Sequence, residues 1–179
     1  FKEGTYEIES ERRGYALELA VDFVRMEYTR HRFWEKDDTP VVPLKSQMLE
    51  DVIETWPQGK INVRIGDYMF RPHQKWTITA VPDGGGYLGG PYYKIVIEGT
   101  NRALAATADA EVVTVPEFTG APEQLWRIDQ LTDGTYRIMP KEVPGTDKEL
   151  VLVSVGDSTP SLGEFDMNSD NSKWNFRDH

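Results

Sequence analysis

At 179 residues, with 20 Lys and Arg against 30 Asp and Glu, the chain carries a formal net charge of −10. That charge would repel a nucleic-acid backbone and argues against a general phosphate-binding role. There is no cysteine, so neither a disulfide nor a thiolate metal site holds the chain together and stability must come from packing. No apolar run approaches the roughly 18 residues of a membrane span, and the opening Phe1-Lys2-Glu3-Gly4 lacks the basic and apolar regions of a signal peptide. The chain reads as soluble, with its compartment left open.

The first expected element is Gly4-Thr5-Tyr6-Glu7-Ile8, where apolar and polar residues alternate as in a half-buried strand. A stretch without this alternation follows. Within it, Arg25 to Trp34 interleaves Arg25, Arg30 and Arg32 with Tyr28, Phe33 and Trp34, a mixture that can stack on nucleotides or sugars but more often forms a solvated face. Further on, Met48, Leu49, Val52, Ile53 and Trp56 recur at helical spacing behind the cap candidate Ser46 until Pro57 stops the run, which predicts a helix over 46–56 covering one end of the molecule.

Alternation returns at Gln74-Lys75-Trp76-Thr77-Ile78. The segment Pro82 to Pro91 contains a Gly-x-Gly-x-x-Gly spacing at Gly84, Gly86 and Gly89. A nucleotide site would need a helix after it, whereas Pro91 and another alternating run, Tyr92-Tyr93-Lys94-Ile95, follow, so a flexible hairpin loop is expected. Short apolar strands are then expected at Ala103–Ala106, Val112–Val115 and Leu150–Val153. Between them lie Gln124-Leu125-Trp126-Arg127-Ile128 and Gly134-Thr135-Tyr136-Arg137-Ile138, joined through the turn-forming pair Asp133-Gly134. Ser172-Lys173-Trp174-Asn175-Phe176 closes the series.

These pieces repeat. Openings at Tyr6, Tyr93 and Tyr136 alternate with closures at Trp76, Trp126 and Trp174, so three units tile the chain. Tyr6 and Trp76 stand much further apart than the other two pairs, which marks an insertion in the first unit. With about four short strands per unit, the expected architecture is an all-β β-trefoil of three repeats and about twelve strands, with a partly helical insertion in the first repeat. The expected organisation is a single domain over 1–179, with repeats at about 1–80, 90–130 and 131–179 and the insertion at about 24–72. The opening tyrosines and closing tryptophans are the expected core.

The Gln-x-Trp closures at 74–76 and 124–126, the variant Ser172-Lys173-Trp174 and the Gly-Thr-Tyr-x-Ile openings resemble the ricin-B-type β-trefoil lectins, in particular the cysteine-free lectins of mushrooms. The resemblance implies binding of glycans or glycoproteins. Lectins of this family place an Asp in an early strand, an aromatic platform midway and an Asn just before Gln-x-Trp. The Asp position falls on Glu18, Ala105 and Val153, and the Asn position on His73, Glu123 and Asn171. Aromatic residues are available at Phe118 and Phe165. The third repeat is therefore the favoured pocket, with Phe165 and Asn171 joined by Asp157 and Asp166 as hydroxyl acceptors, and Glu18 is the candidate of the first repeat.

The chain also resembles the mushroom β-trefoil protease inhibitors of the mycocypin type, which present surface loops to a protease. Glu11-Arg12-Arg13-Gly14 and Pro140-Lys141-Glu142 are the candidate loops for that alternative. An enzyme is not expected, since a thiol nucleophile is impossible and His31, His73 and His179 are scattered without a triad pattern. No cofactor or metal is expected either. Asp166, Asn168 and Asp170 begin like a calcium loop, but Asn171 and Arg177 occupy the positions that require Gly and Glu, leaving a polar turn.

Overall fold

The computed structural model describes residues 1–21, 53, 56–87, 90–156 and 159–178. Among these residues there are twelve strands, four to each repeat. The first repeat holds β1 (Gly4–Ser10), β2 (Ala16–Leu19), β3 (Ile61–Gly66) and β4 (Trp76–Tyr87). The second holds β5 (Gly90–Ile97), β6 (Ala103–Ala106), β7 (Val112–Val115) and β8 (Trp126–Gln130), and the third β9 (Tyr136–Pro140), β10 (Val151–Ser154), β11 (Pro160–Gly163) and β12 (Trp174–Asp178). The outer strands of each repeat pair antiparallel around a ring, β1–β4–β5–β8–β9–β12, and β12 returns to β1 to close a six-stranded barrel without a free edge. The inner strands form hairpins, β2–β3, β6–β7 and β10–β11.

The closing tryptophans explain why the repeats hold register. Trp76, Trp126 and Trp174 are completely buried, and each indole N–H donates to a backbone carbonyl in its own repeat: Leu17, Leu104 and Leu152, all at 2.9 Å. Burying so large a side chain requires a partner for its one polar atom, and the inner hairpin supplies it. Losing any one of these rings leaves a cavity that costs about 3–5 kcal/mol. Tyr6 and Tyr93 are buried as expected. Tyr136 is only half-buried; its ring packs edge-on against Phe176 and Phe1 at 5.1 and 5.8 Å.

A short 3-10 turn precedes each tryptophan, at Pro72–Gln74, Pro122–Gln124 and Asp170–Ser172. Proline presets the backbone angle of the first two, and in the third the Ser169 hydroxyl accepts from the Asn171 backbone instead. The glutamine of Gln-x-Trp has a structural task. Gln74 Oε1 accepts from the Met69 N–H and Gln124 Oε1 from the Thr119 N–H, both at 2.8 Å, so a buried amide locks the preceding loop. Ser172 does the same more weakly, donating to the Asp166 carbonyl at 3.2 Å.

Two expectations change. The spacing places Ile61–Gly66 within the insertion of about 24–72, yet it is β3, with Ile61, Val63 and Ile65 facing inward and paired to β2. Its strict alternation is itself a strand signal. The glycine-rich segment is not a loose loop: β4 and β5 continue their pairing into it, with Gly86 opposite Pro91, across an irregularity between Val81 and Gly86. Gly84 is buried there, and a Cβ on it would stand 3.1 Å from Leu125 Cδ1, so the close packing favours glycine. The helix expected over 46–56 and the basic and aromatic run 25–34 lie outside the described residues, apart from Ile53 and Trp56; Trp56 is a buried member of the core. Nearby, the largely buried Arg102 donates to the Pro57 and Gly59 carbonyls, both at 2.8 Å, and so fastens the chain entering β3 to the second repeat.

Candidate functional site

The indole bonds give an internal ruler. Each acceptor leucine is followed by the residue at the early-strand position, so Glu18, Ala105 and Val153 are structurally equivalent. Each is paired across its hairpin, with Arg64, Val113 and Ser161 respectively. The residue before each closure, His73, Glu123 or Asn171, completes the comparison.

In the first repeat this position is filled. Glu18 is 4% exposed, and its carboxylate receives Arg64 Nε on Oε2 at 2.6 Å and Gln74 Nε2 on Oε1 at 2.9 Å. Fully buried His73 places Nε2 3.3 Å from the same Oε2. Burial works to raise the Glu18 pKa, but His73, Arg64 and Gln74 around the carboxylate outweigh it and hold the group below its ordinary value. A Cβ on Gly66 would stand 2.8 Å from Glu18 Oε1, so glycine is what leaves room for the carboxylate. Glu18 is thus an internal counter-ion rather than an open acceptor.

In the second repeat Ala105 is buried and offers no polar atom. Phe118 is half-buried, with Lys94 Nζ 5.3 Å from its ring centroid.

In the third repeat the equivalent position is open. A cavity of about 220 Å³ is lined by Val153, Gly163, Glu164, Asp166, Asn171 and neighbouring residues. Among the described residues the side-chain amide of Asn171 makes no hydrogen bond, so both its donor and its acceptor are available. Asp166 spends Oδ1 on the Asn168 N–H at 2.9 Å, forming the polar turn expected from the calcium-like spacing. No group of acidic and histidine side chains suited to a metal occurs among the described residues.

The structure therefore brings Asp166 and Asn171 together and leaves Glu18 apart in its own repeat. Phe165 does not join them. It packs on Met139, Val151 and Val153, lies under the Arg137 guanidinium at 5.0 Å, and lines a separate cavity of about 240 Å³ with Leu131, Asp133, Met167 and Lys173. Sequence reasoning missed Gly163 and Glu164; equivalence of Gly163 to Gly66 through the hairpin pairing was the available signal. Asp157 lies outside the described residues. Of the inhibitor-type loops, Arg12 Nη1 donates to the Gly156 carbonyl at 2.5 Å, and Lys141 Nζ donates to the Gly84 carbonyl at 2.7 Å while lying over the Tyr92 ring.

With three buried indoles in equivalent places and three inner hairpins around a closed barrel, residues 72–161, half of the chain, match the family model described as ricin-type beta-trefoil lectin domain-like. The chain belongs to that family. Among solved structures it is similar to a designed threefold-symmetric protein, ThreeFoil, at 19% identity, covering 98% of this chain and 99% of that one with a TM-score of 0.64. It is also similar to the Polyporus squamosus lectin, solved with a human-type influenza-binding epitope, at 16% identity over 99% of this chain and 50% of that one, TM-score 0.63. A mosquitocidal holotoxin matches at 14% identity over the whole of this chain with a TM-score of 0.66, but the chain spans only 18% of it. At these identities the likeness establishes the β-trefoil fold. No curated protein matches the chain. No helix among the described residues is long and apolar enough to cross a membrane.

Proposed function

We propose that this chain is a non-enzymatic carbohydrate-binding protein, and that glycans or glycoproteins are held at the third repeat by Asn171, Asp166 and Glu164. The observation that carries this reading is the unengaged Asn171 amide facing an open cavity at the position equivalent to the filled Glu18 site. A sugar hydroxyl needs a neighbour that can both donate and accept, and the amide does both while the carboxylates accept strongly. Family membership supports binding of this class; the choice of repeat rests on the cavity.

Titration of the chain against a glycan array, beside a panel of serine and cysteine proteases, tests it. Wild-type protein is expected to bind glycans, and Asn171→Ala to lose about 1–3 kcal/mol, roughly ten- to a hundredfold in affinity, by leaving hydroxyls unpaired. A blank array would defeat the reading, and protease inhibition lost on replacing Arg12 and Arg13 would put loop-mediated inhibition in its place.

A further inference from the structure

The geometry points to two adjoining subsites in the third repeat rather than one, together taking a neutral oligosaccharide of at least two residues. One sugar sits against Asn171 and Asp166, and the next lays its apolar face on Phe165 and Met167. The inference rests on the carbohydrate reading above and deepens it.

One short segment walls both cavities, with its residues taken alternately. Glu164 and Asp166 line the polar cavity of about 220 Å³, whereas Phe165 and Met167 line the neighbouring one of about 240 Å³. The two spaces therefore lie on either side of a single strip of chain, and a ligand crossing that strip meets both.

Their chemistry is complementary. The second cavity has an apolar floor, formed by Leu131, Phe165 and Met167, and an ionic rim, Lys173 Nζ to Asp133 Oδ2 at 3.0 Å. Phe165 packs on Met139, Val151 and Val153 and carries the Arg137 guanidinium 5.0 Å from its ring centroid, so the ring is held in place and a sugar meets only the part of it that lines the cavity; Met167 is 71% exposed, a large apolar side chain left in water. A sugar ring offers a C–H face to such a floor and hydroxyls to such a rim. The Asp133 carboxyl is held down to about 2 by the Thr135 hydroxyl and backbone N–H and by Lys173, so the rim keeps its acceptor throughout the neutral range.

Charge selects the ligand class. Glu164 and Asp166 face the ligand in the polar cavity, Asp133 in the other is paired with Lys173, and an acidic ligand would add its own negative charge beside two carboxylates of an already acidic protein. Sugars bearing carboxylate or sulfate are disfavoured, and neutral ones fit.

The experiment uses the full chain with a matched set of neutral monosaccharides, neutral disaccharides and trisaccharides, and their acidic counterparts, on an array and then by calorimetric titration of the hits. A neutral disaccharide is expected to bind at least tenfold tighter than either of its component sugars, with acidic analogues weaker. Phe165→Ala should remove that advantage. Asn171→Ala should weaken both ligands alike. Because Phe165 also packs on the core, Met167→Ser provides a second variant at an exposed position, and a several-fold loss confined to the disaccharide is expected from it. Equal affinity for mono- and disaccharides, or a disaccharide advantage untouched by Met167→Ser, overturns the two-subsite inference while the carbohydrate reading stands. A chain that binds no glycan at all overturns both.

Discussion

The first and third repeats place the same backbone position to opposite uses. At Glu18 the family position has been turned inward: the buried carboxylate accepts from the Arg64 guanidinium and the Gln74 amide, with the His73 imidazole 3.3 Å away. At Val153 the corresponding residues are Ser161 and Asn171, too small or too neutral to fill the space, and a cavity remains. A repeat fold offers three copies of each position, and here an ionic network fills one of them while a cavity remains at another.

The sharpest break in this comparison is Glu18→Val, which gives the first repeat the residue of the third. It removes the carboxylate on which Arg64 and buried His73 converge, and deleting one member of a buried ionic group costs about 3–5 kcal/mol. Chemical denaturation should show the midpoint fall accordingly. The triple variant Glu18→Val, Arg64→Ser, His73→Asn installs the third-repeat residues at three of these positions and should recover most of that loss, because Arg64 and His73 leave with the carboxylate and the remaining Gln74 amide keeps the Asp67 carbonyl as its acceptor at 2.7 Å. A triple variant less stable than Glu18→Val alone would contradict the assignment of the network as a self-contained unit.

A smaller effect separates the two glycines. Gly66→Ala drives a methyl to 2.8 Å from a carboxylate oxygen pinned by its partners, and such overpacking costs about 1–3 kcal/mol. Gly163→Ala meets Val153 Cγ2 at 3.4 Å, an ordinary contact, so stability should hold within about 0.5 kcal/mol while the methyl narrows the open cavity. Equal melting behaviour of the two alanine variants would erase the distinction between a filled and an open site.

Much of the fold was legible because aromatic residues recur with their alternation intact. The openings at Tyr6, Tyr93 and Tyr136 and the closures at Trp76, Trp126 and Trp174 mark strands that face one core, and period-two alternation survives wherever one side is buried. β3 escaped for a reason of scale: Ile61, Val63 and Ile65 alternate properly, but lying behind a long insertion they were grouped with it. The site was legible only in part. Register placed Asn171 and Asp166 in one repeat, and the two line one cavity, yet Phe165, adjacent in sequence to Asp166, lines a different one. Neither did sequence distance show that Arg64 stands across the hairpin from Glu18, which is what converts an apparent ligand carboxylate into an internal one.

The finest test of the same contrast is the acid response of Glu18. Its folded pKa lies below the ordinary carboxylate value of 4.5, so between the two values the unfolded chain binds the proton that the folded protein refuses. Stability from this group is therefore fully present above about pH 4.5 and is lost as the pH falls through the folded pKa, with a slope of at most about 1.4 kcal/mol per pH unit for a single proton. Other carboxylates titrate over the same range, so the quantity to measure is the stability difference between wild type and the isosteric Glu18→Gln, followed by denaturant melts from pH 7 to pH 3. The glutamine side chain still fills the space beside Arg64 and His73 but has no proton to lose. The difference should be constant near neutrality and shrink only on the acid side of about 4.5, since protonated Glu18 and its amide replacement are then both neutral partners. A difference that instead grew on acidification would mean that burial, which pushes the carboxyl upward, outweighs Arg64 and His73, and the first-repeat site would be closed by packing alone.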